Sequence, residues 1–374
     1  MRCLLFAQQF KSFTSGLGTY ARGLALGLRN RGHEVTLATA DSQVEEVDGI
    51  RFRPMDFKPW NMTPFTWRRM GEAYRGVLSA EADRHDLVHF LDAREAAFIR
   101  NSLGVTTVGT AHDTYAIDWK GKGKAGRTVK DRLAERFYYG WLRNVERVAY
   151  YELSRIIANS EHVRTHLIEG YQVPAEKIEV VRIGLPDAPP IDPRSLAGDP
   201  AVLFVGGNFR RKGLPELLKA LALTAGDLPQ ARLHVVGRDR REARYLAMAR
   251  DYGIADRVEF HGHRENEEVR RMMAGADIFA MPSLVESFGL VYLEAMRVGT
   301  PVIATSHGGA AECFKDSEEL LLVPPGDSRA VADLLRRLVA EDGLRDRLAD
   351  GGRRAVARHT LDQTVEETVS VYER

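Results

Sequence analysis

Short apolar runs alternate with longer amphipathic stretches along almost the whole chain. In the first half the runs Arg2–Ala7, Glu34–Thr39, Asp86–Leu91, Thr106–Thr110, Arg155–Ala158 and Glu179–Arg182 predict buried strands. The amphipathic stretches Thr19–Asn30, Pro64–Asp83, Asp131–Leu153 and Glu161–Glu169 predict helices between them. Strands that are apolar throughout, each followed by a helix, describe a parallel sheet covered on both faces. The rhythm breaks at Gly184–Pro193, which holds Pro186, Pro189, Pro190 and Pro193. Proline has no N–H and a fixed φ, so this stretch predicts an extended linker. Alternation resumes with strands at Ala201–Val205, Ala231–Gly237, Val258–Gly262, Ile278–Pro282, Pro301–Thr305 and Leu320–Val323. Helices fit between these at Leu214–Leu223, Glu242–Asp251, Glu267–Ala274 and Phe288–Val298, and a last one at Leu361–Glu373 follows a break at Gly351-Gly352. The expected plan is α/β: a first Rossmann-like domain over 1–184, a linker over 185–200 and a second Rossmann-like domain over 201–360.

A length of 374 residues suits two domains that each bury a core. Apolar content of 44% and charged content of 28% belong to a soluble globular enzyme. A net charge of +1 gives no bias toward nucleic acid, so any attraction to a membrane must be local. Cys3 and Cys313 lie far apart in sequence, which argues for a reducing compartment rather than a disulfide framework. Arg2–Ala7 reads as a strand rather than a signal-peptide core. No run approaches the roughly 20 apolar residues of a membrane helix. The expected location is cytoplasmic, with room for peripheral contact at the inner face of a membrane.

Candidate chemistry concentrates where strands end. Glu286 and Glu294 stand eight positions apart in Glu286-Ser287-Phe288-Gly289-Leu290-Val291-Tyr292-Leu293-Glu294. A helix starting near Ser287 would aim the N–H groups of Ser287, Phe288, Gly289 and Leu290 at an anion, with its dipole adding to the attraction. Glu294 would then lie about 10 Å further along, able to accept two hydroxyl hydrogen bonds. A diphosphate, a ribose and a sugar at such distances make a nucleotide-sugar. Gly16-Leu17-Gly18 follows the first strand and would let a phosphate approach the backbone, although Ala21 stands where the full dinucleotide fingerprint needs glycine. His112 and Asp113 close another strand, where doubly wound sheets place ligands. Val205-Gly206-Gly207-Asn208-Phe209-Arg210-Arg211-Lys212-Gly213 brings three cations to a glycine-rich loop. No Asp-x-Asp occurs and no His/Cys cluster shows metal-ligand spacing, so neither a metal nor a cofactor is expected. There is no Gly-x-Ser-x-Gly elbow and no Walker loop. The basic run with Lys120, Lys122 and Lys124 is either a solvated loop or a site for an anionic acceptor or anionic lipid. Arg68 and Arg69, beside Trp60, Phe65 and Trp67, offer either an acceptor-side surface or core packing of the aromatics.

The segment from Pro282-Ser283 through Glu286 and Glu294 to the strand at Pro301–Thr305 resembles the C-terminal signature of GT-B retaining glycosyltransferases of the family 4 type. Nearly the whole chain fits that pattern. The resemblance implies the GT-B fold, two Rossmann-like doubly wound domains facing across a cleft, with residues 361–374 returning to the first. It implies transfer of a hexosyl group from a nucleoside diphosphate sugar to the hydroxyl of a saccharide or glycolipid acceptor, with retention. Cell-envelope polysaccharide, lipopolysaccharide or glycolipid synthesis is the expected setting. It makes His112 the histidine over the donor sugar, Lys212 the grip on the diphosphate, Glu286 the positioner of the donor sugar and Glu294 the ribose ligand. Gly16 and Gly18 would lie along the diphosphate, the Ser287–Leu290 backbone beside it, and Arg264 near the base. Many members carry arginine where this chain has Gly207, and Arg210 or Arg211 would replace that charge. His307-Gly308-Gly309-Ala310-Ala311-Glu312 looks like the family's Gly-Gly-x-x-Glu turn. A sugar-nucleotide epimerase or phosphorylase on the same fold, and a non-catalytic partner of another transferase, are the alternative readings.

Overall fold

The computed structural model describes residues 1–8, 16–40, 49–57, 64–98, 104–114 and 129–374. It divides into two compact units, Met1–Pro186 with Leu361–Arg374, and Asp187–Thr360. Residues 186–200 hold no helix or strand.

The first unit is built on seven parallel strands: β1 (Arg2–Ala7), β2 (Glu34–Thr39), β3 (Arg51–Pro54), β4 (Leu87–Phe90), β5 (Thr106–Ala111), β6 (Arg155–Ala158) and β7 (Ile178–Val180). Their order is β3-β2-β1-β4-β5-β6-β7, so the winding reverses between β1 and β4. After Arg2, β1 is apolar because it is central and covered on both faces: Cys3, Leu4, Leu5 and Phe6 have no exposure. Phe6 stacks between Tyr74 and Phe90, with ring centroids 5.0 Å from each. β3 escapes the apolar pattern. It is an edge strand with only Phe52 buried, and it ends on Pro54, which an edge tolerates. The helix expected at Glu161–Glu169 is an α-helix over Glu161–Thr165 followed by a π turn at His166–Gly170.

The C-terminal helix, Leu361–Glu373, packs on the helix Gly16–Asn30 of this unit. Glycine makes that contact possible. A Cβ on Gly23 would meet Leu361 Cδ1 at 2.9 Å, and one on Gly27 would meet Val365 Cγ2 at 2.4 Å. Thr364 Oγ1 donates to Arg182 O at 3.0 Å and accepts from Gly184 N at 2.8 Å, and Leu361 N donates to Leu185 O at 2.9 Å.

The second unit holds six parallel strands: β8 (Ala201–Val205), β9 (Arg232–Val236), β10 (Val258–Gly262), β11 (Ile278–Met281), β12 (Val302–Thr305) and β13 (Leu321–Val323). Their order is β10-β9-β8-β11-β12-β13, with the reversal between β8 and β11. Two helices, Ser328–Ala340 and Leu344–Val356, fill the stretch that the strand–helix alternation leaves unassigned. Asp327 starts the first by accepting from the N–H groups of Arg329 at 3.1 Å and Ala330 at 3.0 Å. Cys3 and Cys313 are free thiols. No helix among the described residues is long and apolar enough to cross a membrane.

Candidate active site

In a doubly wound sheet, ligands bind at the carboxyl ends of the strands where the winding reverses. In the second unit, two loops flank that point, one after β8 and one after β11. The β8 loop ends on Gly213, a left-handed residue at φ 80° that caps the helix Leu214–Leu223. A Cβ there would lie 2.0 Å from Pro282 O, so only glycine lets the two loops close on each other. The closure is tied by Leu284 N donating to Arg211 O at 2.8 Å. Its product is an ion pair: Lys212 Nζ stands 2.5 Å from Glu286 Oε2, and both side chains are largely buried. Ser283 Oγ donates to the same carboxylate oxygen at 3.3 Å. Burial pushes the Glu286 carboxyl up, but the charges of Lys212 and Arg211 and the hydrogen bonds from Lys212 and Ser283 outweigh it, holding the group below its ordinary value. Arg211 therefore acts on Glu286. Arg210 lends its charge to Glu216 and Tyr245 instead.

The backbone of Glu286 is fixed from the other side. Glu286 pairs with Gly308 as a parallel bridge, and Gly309 N donates to Ser287 O at 3.0 Å. A Cβ on Gly308 would lie 1.7 Å from Glu286 O.

The helix after Glu286 begins later than expected. It runs Leu290–Arg297, and its cap is Gly289 at φ 88°, against which the Tyr292 ring lies so close that a Cβ would meet it at 2.4 Å. A left-handed residue cannot sit within a right-handed helix, so Ser287, Phe288 and Gly289 stay outside it. The N–H groups left without an intrahelical acceptor belong to Leu290 and Val291. Tyr292 N already donates to Gly289 O at 2.8 Å. Phe288 is buried beside His359, so only its backbone faces outward chemistry. Glu294 lies about one turn into this helix, not two. It is half-buried and makes no hydrogen bond or ion pair among the described residues. Burial raises its carboxyl to about 7, against the opposing charges of Arg297 and Arg270.

The remaining second-unit candidates are less engaged. Gly207 lies in the β8 loop, where a Cβ would meet only Arg238 O, at 3.6 Å, so a side chain would fit there. Arg264 is exposed, with Nη1 3.5 Å from His263 O, and its charge bears on His261. Spacing along the chain shows no metal set, yet the pairing of β9 with β10 brings His234, Glu259 and His261 together.

In the first unit, Gly16, Leu17 and Gly18 are not a loop before a helix. They form its first turn, since the helix runs Gly16–Asn30. His112 follows β5. Its Nε2 lies 2.8 Å from Leu91 O; a carbonyl only accepts, so Nε2 carries the proton and Nδ1 is left as an acceptor. Burial lowers its pKa despite Asp92, the Leu91 carbonyl and Asp113, so the ring is neutral at pH 7. Several residues that hold it show no sequence signal. The Tyr20 ring meets it edge-on at 4.9 Å, and Asn159 Nδ2 donates to its carbonyl at 2.9 Å. Behind Tyr20 runs a buried chain: Tyr20 hydroxyl to Thr110 Oγ1 at 2.9 Å, Thr110 Oγ1 to His89 Nε2 at 2.8 Å, and His89 Nδ1 to the Tyr372 hydroxyl at 2.6 Å. Arg94 forks onto Asp92, with Nη2–Oδ2 2.6 Å, and stands 3.6 Å from Asp113. Lys120, Lys122 and Lys124 lie outside the described residues. Arg68 and Arg69 are exposed on the helix Pro64–Glu81, with Arg68 3.6 Å from Glu72. Trp67 is turned inward against Trp141.

Comparison with known proteins matches both halves. The family described as Glycosyltransferase Family 4 matches residues 14–188, and the one described as Glycosyl transferases group 1 matches residues 191–355. A D-inositol 3-phosphate glycosyltransferase of Xylanimonas cellulosilytica is 30% identical over 96% of this chain and 91% of its own length. An uncharacterized glycosyltransferase of Methanocaldococcus jannaschii is 26% identical over 96% and 94%. Among solved structures, sucrose-phosphate synthase of Thermosynechococcus elongatus superposes with a TM-score of 0.81 at 23% identity, covering 100% of this chain and 98% of its own. Anabaena HepE, solved with UDP and glucose, gives 0.75 at 21% identity and 99% coverage of both chains.

Proposed function

The chain belongs to the group 1, family 4 type of glycosyltransferases, and on that premise we propose that it moves a hexosyl group from a nucleoside diphosphate sugar to an acceptor hydroxyl with retention. The observation that carries this reading is the buried Lys212–Glu286 pair beside the start of the helix Leu290–Arg297. An arriving diphosphate competes with Glu286 for Lys212. Lys212, the Arg211 charge and the N–H groups of Leu290 and Val291 then stabilise the negative charge that builds on the leaving diphosphate. Glu286, released from the lysine, positions the donor sugar. Among the described residues no second carboxylate is paired with it for a covalent double displacement. We therefore favour front-face departure and attack, in which the leaving diphosphate takes the acceptor proton. His112, held neutral with Nδ1 open, accepts a hydrogen bond from a sugar hydroxyl. Glu294 accepts from the ribose hydroxyls. These fixed groups do the neutralising without a metal ion at the diphosphate.

The test is a panel of UDP-, GDP- and ADP-sugars, scored first by thermal shift and then by transfer. A ligand at 100 times its dissociation constant adds about 2.7 kcal/mol of stability. Acceptors should include saccharides, glycolipids and, because relatives are named for it, a phosphorylated inositol. An α-linked donor should give an α-linked product by NMR. A β-linked product, or conversion of the nucleotide-sugar with no acceptor present, would overturn the reading.

A further inference from the structure

We propose that His234, Glu259 and His261 form a zinc site in the body of strands β9 and β10, away from the loops that follow β8 and β11. In the parallel pairing Glu259 sits opposite His234, and His261 falls at a register shift between the Phe260–Val235 and Gly262–Val236 pairs, where the ligand atoms of the three side chains lie within 4.8 Å of one another. His234 Nδ1 is 3.0 Å from His261 Nε2 and 3.6 Å from Glu259 Oε2. Two ligands about 2.0–2.1 Å from a tetrahedral zinc stand roughly 3.3 Å apart, and these separations bracket that value.

The protonation pattern points the same way. His234 Nε2 lies 2.8 Å from Ala197 O, which fixes the proton on Nε2 and turns the Nδ1 lone pair into the cluster. That backbone anchor is what a metal-ligating imidazole commonly has on its far nitrogen. With no cation, His261 Nε2–H would donate to His234. Its own Nδ1 lone pair would then face Glu259 Oε1 at 3.5 Å, acceptor against acceptor. A dication satisfies all three groups. The histidine side chains are 2% and 4% exposed, whereas Glu259 is 62% exposed, so an ion can enter from solvent and keep water as a further ligand. Arg194 approaches His261, but its guanidinium is hydrogen-bonded to Glu268. Two imidazoles and one carboxylate suit zinc rather than magnesium, which prefers six oxygens. The ion would tie the edge strand β10 to β9, just before the turn that carries Arg264.

The test uses the whole protein, stripped with a chelator and titrated with zinc chloride by calorimetry. His162 and His166, with ring centroids 4.3 Å apart, offer a rival two-ligand pair, so the titration is made on His162→Gln protein. We expect one equivalent bound and a raised Tm. Glu259→Gln, at an exposed position that should not impair folding, and His261→Gln should each weaken the zinc Kd at least tenfold. Cobalt should give tetrahedral d–d absorption that His261→Gln abolishes. No uptake by the His162→Gln protein, or unchanged affinity in both ligand variants, would overturn the proposal. Neither result bears on sugar transfer, which is assayed separately.

Discussion

Lys212 is enclosed with Glu286, so removing it strands a buried carboxylate as well as deleting a cation. Lys212→Ala should lower kcat/KM for transfer at least tenfold, since one charge-assisted phosphate contact is worth roughly 1.5–3 kcal/mol. Wild-type kinetics in that variant would remove the lysine from the mechanism. Glu294 makes a different prediction because its carboxyl titrates at about 7. The ionised form presents both oxygens as charged acceptors and binds hydroxyls more strongly than the protonated acid, so nucleotide-sugar affinity should rise with pH through 7. Glu294→Gln should weaken binding and flatten this dependence, as calorimetry at several pH values will show. The stability effect has the opposite sign. A carboxyl whose folded pKa is raised above its unfolded value favours the folded state at low pH and loses that advantage as pH rises to about 7. Glu294→Gln should therefore raise Tm above pH 7, where the wild type must ionise a half-buried group.

Among the elements, most strands and helices are legible because each declares itself locally. β1 reads as apolar from Cys3 to Ala7, and Leu214–Leu223 reads as a helix with Pro215 in its first turn. β3 does not declare itself, since one buried Phe52 among arginines carries no period. The start at Leu290 also fails locally. The sequence predicts a start near Ser287, but the left-handed φ of Gly289 and the Tyr292 ring against it push the first helical residue to Leu290. The C-terminal helix depends on glycines that look unremarkable in sequence. Gly27→Ala puts a methyl 2.4 Å from Val365 Cγ2, so the two helices must separate. Overpacking of this kind costs about 1–3 kcal/mol. A chemical denaturation midpoint equal to wild type would show that the contact is looser than described.

At the scale of the whole molecule, the proposed mechanism meets the diphosphate's charge with a lysine, an arginine and helix-start N–H groups that belong to the protein. Initial transfer rates should therefore survive excess EDTA. A fall to background that magnesium or manganese restores would reveal a metal in the reaction. Any zinc bound across β9 and β10 would make EDTA lower Tm without lowering those rates. The α/β class, the proline-rich break and the residue types at strand ends were all present in the sequence by itself, because strand and helix periods and proline chemistry act over a few residues. What tertiary structure decided is which of those ends meet. Lys212 and Glu286 are 74 positions apart and touch only because β8 and β11 are neighbours at the winding reversal and Gly213 has no Cβ to hold them apart. His234 meets Glu259 and His261 only because two parallel strands pair, with a register shift between Phe260 and Gly262. Strand order and register are set by how the whole sheet buries its apolar surface, and no single segment carries that information.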